Sequence, residues 1–528
     1  MLPLPLCIGA ILIAYRVIRF WKQLKVRSLV CRRRSSLTFV LQFYGHVKGY
    51  RPLLDPHSLP GNAIPANWWH MGFMWPWIQR KHAHFNHTRD LTTLVPIVAG
   101  NSMYVVASVG VAKQVWGKRE QDASAEANVW GSSIASANGE DWKRHRRVVA
   151  PAVSPKLLSG VVEESALVYK KMKSDLSADD MVLRNLHSLL LRFTLVMICR
   201  CGFGMPVDWK QSTGNDEIAI FDRSLSVAST TLIHRLIFPS WIYKLPIQQL
   251  RDINNSWNAV LTLIASIAAG RQAEYSTLKE LGEDEIKDLF TKLVSSTDEA
   301  ARYTLTPAEV TGDMMSLLFA GNETTSSALM TTLVCLGLHP KEQQAAYDEI
   351  IREIPSADEM TLRNVSNLRY VLACMHEAHR LVPATINLPR DVPEDIVLHS
   401  TIPFERDIPV RKGSRIMIDI MAVCHNPHDF PEPESYNPSR WASVDGKEDV
   451  KEDVIMFGAG PRACVGRRFA QVEAVSFLAH FLRDWRVETV LLEGETRSAA
   501  LERVLANASM YGTAFGLGEA PVRIVKRN

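Results

Sequence analysis

Ten consecutive residues constrain this chain more than any other feature: Phe457-Gly458-Ala459-Gly460-Pro461-Arg462-Ala463-Cys464-Val465-Gly466. Gly458 and Gly460 open backbone conformations that other residues avoid, and let the chain approach a flat ligand closely. Arg462 brings a permanent charge suited to a carboxylate. After Gly466 the apolar residues Phe469, Val472, Val475, Leu478, Ala479 and Leu482 follow helical spacing. Cys464 is therefore expected just ahead of a helix N-terminus, where free backbone N–H groups favour the thiolate and lower its pKa below about 8.5. The thiolate is the metal-binding form of cysteine. The phosphate-loop pattern GxxxxGK[ST] is absent, which excludes a phosphate cradle of that type.

The other seven cysteines, Cys7, Cys31, Cys199, Cys201, Cys335, Cys374 and Cys424, are scattered without zinc-site spacing. Most lie in apolar runs and read as buried thiols in a reducing compartment. The 528 residues are 47% hydrophobic and carry a net charge of +4, too little to make nucleic acid the main partner. No repeat or linker splits the body, so residues 67–528 read as a single catalytic domain. Helical periodicity dominates from Trp142 to about Val382. The apolar stretch 182–198 carries Arg184, His187 and Arg192 and reads as a core helix, not a membrane span. Residues 276–298 are polar and suggest a connection with short helices, 383–418 suggest short strands and turns, and 506–525 suggest β-hairpins. The expected fold class is mainly α with a small β part.

Thr306 to Leu338 reads as one long helix, with Thr306 as N-cap, Pro307 in the first position and Glu309 completing a capping box. Within it lies Ala320-Gly321-Asn322-Glu323-Thr324-Thr325, where a mid-helix glycine costs about 1 kcal/mol relative to alanine. An acid and hydroxyls amid Leu317, Leu318, Phe319, Leu329 and Met330 are expensive unless used or exposed. Glu377 and Arg380 stand at i and i+3 on one helix face, and Pro438-Ser439-Arg440-Trp441 follows downstream. Trp142 and Arg146 stand four apart on another helix.

Together these motifs resemble the cytochrome P450 family. Phe-Gly-x-Gly-x-Arg-x-Cys-x-Gly matches its heme-binding loop, the Ala320–Thr325 segment its distal helix, Glu377-x-x-Arg380 its ExxR motif, Pro438–Trp441 its Pro-x-Arg-Phe/Trp turn, and Trp142/Arg146 its WxxxR helix. The resemblance covers roughly residues 60–528. It implies a P450-like fold with heme as cofactor and Cys464 as axial thiolate of the iron, in a loop with Phe457, Gly458 and Gly466. It implies that Trp142, Arg146, Arg390 and Arg462 contact the heme, the arginines through its carboxylates. By the same resemblance Gly321 makes room for dioxygen, Glu323 and Thr324 deliver protons to it, and Glu377, Arg380 and Arg440 form a buried network that fixes the cysteine loop. The pocket is implied to be lined by residues 129–135, 315–319, 384–388 and 510–513.

The overall cast is similar to fungal membrane-bound members. It implies monooxygenation of an apolar small molecule, with O2 and NADPH-derived electrons, in secondary-metabolite chemistry, with terpenoids as a substrate class suggested by fold-level analogy. The chain carries no flavin or NAD fingerprint, so an NADPH-dependent flavin reductase is the implied electron donor. Lys143, Arg144, Arg147, Arg467 and Arg468 flank the cysteine-side motifs and would steer an acidic donor protein. Residues 1–35, apolar and then basic, are expected to form a single-pass anchor in the endoplasmic reticulum membrane with the body cytosolic, and residues 36–66 a linker with a Pro/Gly hinge at 59–65. Two rivals stay open: a family member that desaturates or rearranges without net oxygen insertion, and a non-catalytic heme-binding protein.

Overall fold

The computed structural model describes residues 49–50, 90–94, 103–117, 122–123, 130–176, 178–210, 217–237, 240–281, 289–297, 302–441, 456–512, 514–518 and 520–527. The anchor expected over 1–35 and the hinge at 59–65 lie outside the described residues. Among the described residues no helix is long and apolar enough to cross a membrane. The elements are mainly helical with a small β part, as the sequence implies. Contacts divide the chain into two units, each assembled from several stretches of sequence.

The helical unit comprises Ala123–Thr385, Glu434–Gly458 and Arg462–Asn528. Its main helices are α1 (Gly139–Ala152), α2 (Pro155–Asp175), α3 (Leu186–Met197), α4 (Glu217–Ile237), α5 (Gln248–Leu281), α6 (Pro307–Leu338), α7 (Pro340–Glu353), α8 (Arg369–Leu381) and α9 (Arg467–Asp484). The long helix α6 begins where its caps place it. Thr306 Oγ1 accepts the Glu309 N–H at 3.3 Å, and Glu309 Oε2 accepts the Thr306 N–H at 2.8 Å. Apolar Met314, Leu318, Leu329 and Leu333 of α6 are buried, and the helix packs against α3 and α8. A polar lock fixes the first of these contacts: Thr194 Oγ1 of α3 donates to Asn322 Oδ1 at 2.7 Å. Helix α3 then passes into a π-helical turn, Ile198–Gly202. Helix α9 lies on α2, with Tyr169 edge-on to Phe477 at 6.3 Å.

Two sequence expectations shift here. The polar stretch 276–298 opens inside α5, which runs on to Leu281 before the short helix Leu289–Val294. The C-terminal hairpin forms between Ser509–Tyr511 and Ala514–Gly516, but the last strand, Val522–Lys526, pairs instead with Trp485–Thr489 and Asp180–Leu183. Its buried Val522 and Ile524 alternate with exposed Arg523, and only distant strands supply an apolar surface for that alternation.

The second unit comprises Met1–Asp122, Ile386–Pro433 and Ala459–Pro461. In its sheet, Leu91–Leu94 is antiparallel to Met103–Val106, which runs parallel to Arg415–Asp419, itself antiparallel to Asn387–Asp391. The His425-Asn426 segment is held by the Asn426 amide, which donates to Ala107 O at 2.9 Å. Asp429 accepts the Val109 N–H at 3.0 Å and so caps the helix Val109–Gly117. Gly460 (φ 73°) lies against the C-terminal turn of that helix, where a Cβ would come within 2.2 Å of Trp116 O.

Asp419 ends one strand and caps the short helix Ile420–Cys424, accepting the Ala422 N–H at 2.9 Å. It is 5% exposed, and burial pushes its carboxyl up to about 7. A group whose pKa is raised by folding binds its proton more tightly in the native state. Its contribution is full below about 4, the unfolded value, and is lost as pH rises through about 7. The Asp419→Asn variant, still a good N-cap, should show a smaller fall in thermal midpoint between pH 5 and pH 7.5 than the parent protein, read by circular dichroism.

Candidate active site

Glu377 is the most heavily ligated side chain of the site region. It sits on α8, fully buried, and its carboxylate gathers donors from two separated stretches of chain. Arg380 forks onto it with Nε to Oε2 and Nη2 to Oε1, both at 2.9 Å. The turn Pro438–Trp441 supplies Arg440 Nε at 3.1 Å and Trp441 Nε1 at 2.9 Å, and the Asn437 N–H adds a bond at 3.0 Å. Arg380 and Arg440 also bond the Ser435 carbonyl and hydroxyl. The sequence pointed to the three charges. It did not announce Asn437, whose contribution comes from its backbone.

The cysteine loop closes on itself through the Cys464 N–H, which donates to Phe457 O at 2.8 Å. Gly458 takes a φ of 66°, in the left-handed region that glycine alone enters cheaply. Helix α9 begins at Arg467, three residues past the sulfur. Gly466 caps it, and a Cβ there would lie 3.8 Å from Cys464 Sγ. Cys464 is exposed on its open side, whereas every other described cysteine is buried. The expected depression of its pKa is corrected. Enough protein surrounds the thiol that burial raises it, and the opposing Gly466 N–H, Arg146 charge and Arg467 N–H are weaker. The helix terminus acts in the expected direction but does not win in the protein alone.

Arg146 of α1 donates to Ala463 O at 2.6 Å and lies near enough to Cys464 to feel its charge. Burial lowers its pKa, and it has no carboxylate partner among the described residues. Arg462 lies over the Trp142 ring at 4.6 Å and donates to Ala137 O and Asn138 Oδ1 at 2.9 and 2.7 Å. Trp142 itself is 9% exposed. Arg390, in the other unit, stands opposite Ile416 in its sheet, donates to Pro389 O at 2.8 Å, and is likewise pushed down by burial.

On α6 the expected trio separates. Thr324 is half-buried, and its hydroxyl donates back to Ala320 O at 2.7 Å. Glu323 is 4% exposed and lies under the C-terminal hairpin, where a Cβ on Gly512 would come within 2.2 Å of Oε1. Gly321 was expected to make room for dioxygen. A Cβ there would lie 3.2 Å from Ile198 Cδ1. Beyond the first turn of α6, the exposed residue is Ala320, one turn before Thr324. Sequence reasoning missed it. The signal was there: a small residue at i−4 from the threonine. Among the expected pocket residues of α6, Met315, Leu318 and Phe319 are buried in the core, and Leu317 is half-buried. Val129 and Thr513 lie outside the described residues.

A family model described as Cytochrome P450 matches residues 60–509. The chain belongs to the cytochrome P450 family. It is similar to Cytochrome P450 monooxygenase 124 of the fungus Postia placenta, at 26% identity over 449 residues, covering 81% of this chain and 84% of that protein. It is also similar to Leukotriene-B4 omega-hydroxylase 3 of Mus musculus, at 25% identity over 473 residues, covering 85% of this chain and 87% of that one. It is accordingly an oxidoreductase, a P450 monooxygenase whose family cofactor is heme with an iron–thiolate bond, served by redox partners and dioxygen. The residues present fit that group. This P450 offers one reachable sulfur at a helix start, glycine backbone beside it, an open strip of α6, and a half-buried guanidinium, Arg146, lacking a carboxylate.

Removing Glu377 would strand two guanidiniums, one fully buried. The Glu377→Ala variant should lose about 3–5 kcal/mol of stability, measured by chemical unfolding, with Glu377→Asp intermediate.

Proposed function

We propose that Cys464 is the axial thiolate of heme in a monooxygenase that oxidises an apolar small molecule. One oxygen atom of O2 enters the substrate and the other leaves as water, consuming two electrons and two protons. The observation that carries this reading is the open Cys464 sulfur at the start of α9, with the Gly466 and Arg467 N–H groups and the Arg146 charge directed at it. Those three groups stabilise negative charge on sulfur once a metal relieves the cost of burying it. Bound heme supplies dioxygen binding and oxygen transfer, and thiolate ligation favours O–O cleavage.

The chain's own residues then divide the work. Arg146, Arg462 and Arg390 hold the heme carboxylates, and Trp142 supports Arg462 from below. Phe457, Gly458 and Gly466 shape the loop around the sulfur. Thr324 keeps two acceptor lone pairs while its proton rests on Ala320 O, and rotation of the hydroxyl turns that donor outward. Glu323, held under the hairpin, is the proton source behind it. Gly321 makes room for dioxygen and lets the Ile198–Gly202 turn lie close to α6.

Electrons come from NADPH through a separate flavin reductase. Lys143, Arg144, Arg147, Arg467 and Arg468 are the basic residues that would receive its acidic face, although Lys143 already pairs with Glu140 and Arg144 with Glu309, each at 2.6 Å. Residues 1–35 anchor the protein in the endoplasmic reticulum membrane, which concentrates apolar substrates. The similarity to a monooxygenase supports the oxidation; a place in fungal secondary metabolism with a terpenoid substrate is part of the proposal.

The carbon monoxide difference spectrum of the reduced protein should show the far-red Soret band of a thiolate-ligated heme, and Cys464→Ala should abolish it. Its absence from heme-loaded wild type would overturn the assignment. With labelled dioxygen the product should carry the label, whereas a desaturase or isomerase would leave it unlabelled. Thr324→Ala should keep the band but lower product formed per NADPH by about tenfold or more, measured as product against cofactor consumed.

A further inference from the structure

His145 of α1 and Asp313 of α6 form a hydrogen-bonded pair with both side chains 0% exposed, Nδ1 to Oδ2 at 2.7 Å. Neither takes part in the Cys464 loop or the Glu377 network. The second oxygen of Asp313 accepts the Ile134 N–H at 2.6 Å. The far nitrogen of His145 lies 3.3 Å from Ser132 Oγ and 3.7 Å from Glu309 Oε1, a carboxylate that Arg144 holds at 2.6 Å. Burial raises the Asp313 pKa, and the His145 bond works against that rise. One buried carboxylate therefore joins α1, α6 and the segment between Trp130 and Asn138.

That segment buries little side-chain surface of its own. Gly131, Ser132 and Ala135 are exposed, and Gly131 takes a φ of 100°. A stretch of small residues gains little from burial against the entropy of being fixed. It is nonetheless tied at three places. At its start Trp130 stacks on Phe319 at 5.3 Å and on Trp257 at 6.2 Å, and its Nε1 donates to Ser316 Oγ at 2.8 Å. At its end Arg462 of the cysteine loop holds Ala137 O and Asn138. In the middle its backbone lies on α6 at Gly312, where a Cβ would come within 2.3 Å of Ser132 O, and the adjacent Asp313 takes the Ile134 N–H.

The geometry points to Asp313 and His145 as positioning residues that pin the 130–138 segment to α6 and so set how tightly large apolar ligands are held. This rests on the monooxygenase reading, which assigns that segment to the substrate pocket. Neither residue touches the ligand. They act by fixing the wall that does, and Gly312 is required because any side chain there would lift the wall away.

The test uses the full heme-loaded chain and two optical probes, imidazole as a small ligand and clotrimazole as a bulky one. Asp313→Val removes both acceptors at similar volume. It should weaken clotrimazole by about tenfold or more while imidazole stays within about twofold. Amide hydrogen exchange should speed up over 131–138 and stay unchanged in α9. Gly312→Ala should reproduce that pattern without altering Asp313, and Asp313→Asn, which keeps an acceptor for the Ile134 N–H, should recover much of the affinity. Unchanged clotrimazole affinity with unchanged exchange at 131–138 would overturn the inference. So would equal loss of both ligands with faster exchange through α9, which would mean general support of the fold. A wild type without the thiolate band would sink the monooxygenase reading instead, and the exchange comparison would still decide whether Asp313 pins the segment.

Discussion

A carboxylate placed where no water reaches must find its full complement of donors inside the protein, and at Glu377 it does. Arg380 comes from the same helix, while Arg440, Trp441 and the Asn437 N–H come from a turn some sixty residues on. Burying a charge is costly, and each missing donor would leave part of that cost unmet. The turn can therefore sit against α8 in only one register. The chain that leaves it leads to the cysteine loop and α9, so the placement of Cys464 depends on a charge network with no chemistry of its own.

At Cys464 two effects of similar origin oppose each other. The start of α9 offers backbone N–H groups and Arg146 offers a full charge, and both favour a thiolate. Enclosure by the surrounding protein favours the thiol, and in the protein alone it is the larger effect. A metal ion bound at this sulfur would shift the balance toward the thiolate. The same economy governs α6. Several of its polar residues make a named contact: Asn322 with Thr194, Thr324 with Ala320 O, and Ser327 with Phe515 O at 2.7 Å.

Much of the site was legible in advance because it is local. The capping box at Thr306 and Glu309, the positive φ at Gly458, and the helix start after Gly466 follow from residues within a few positions of one another. The pairing of Glu377 with Arg380 needed only helical spacing, and its partner Arg440 was found through the family pattern. The features not legible in advance depend on what lies across the fold. Gly321 faces Ile198, Glu323 lies under Gly512, and the last strand pairs with segments far from it in sequence.

The class of protein and the helices that carry the candidate site follow from the chain alone, since motif order and local periodicity are properties of the sequence. Only the tertiary structure decided which face of α6 stays open, which way the Cys464 thiol is shifted, and that His145 and Asp313 meet at all. Those outcomes are set by burial and by contacts between residues up to hundreds of positions apart. Desolvation and packing are sums over whatever surrounds a group, and no spacing along a chain encodes that sum.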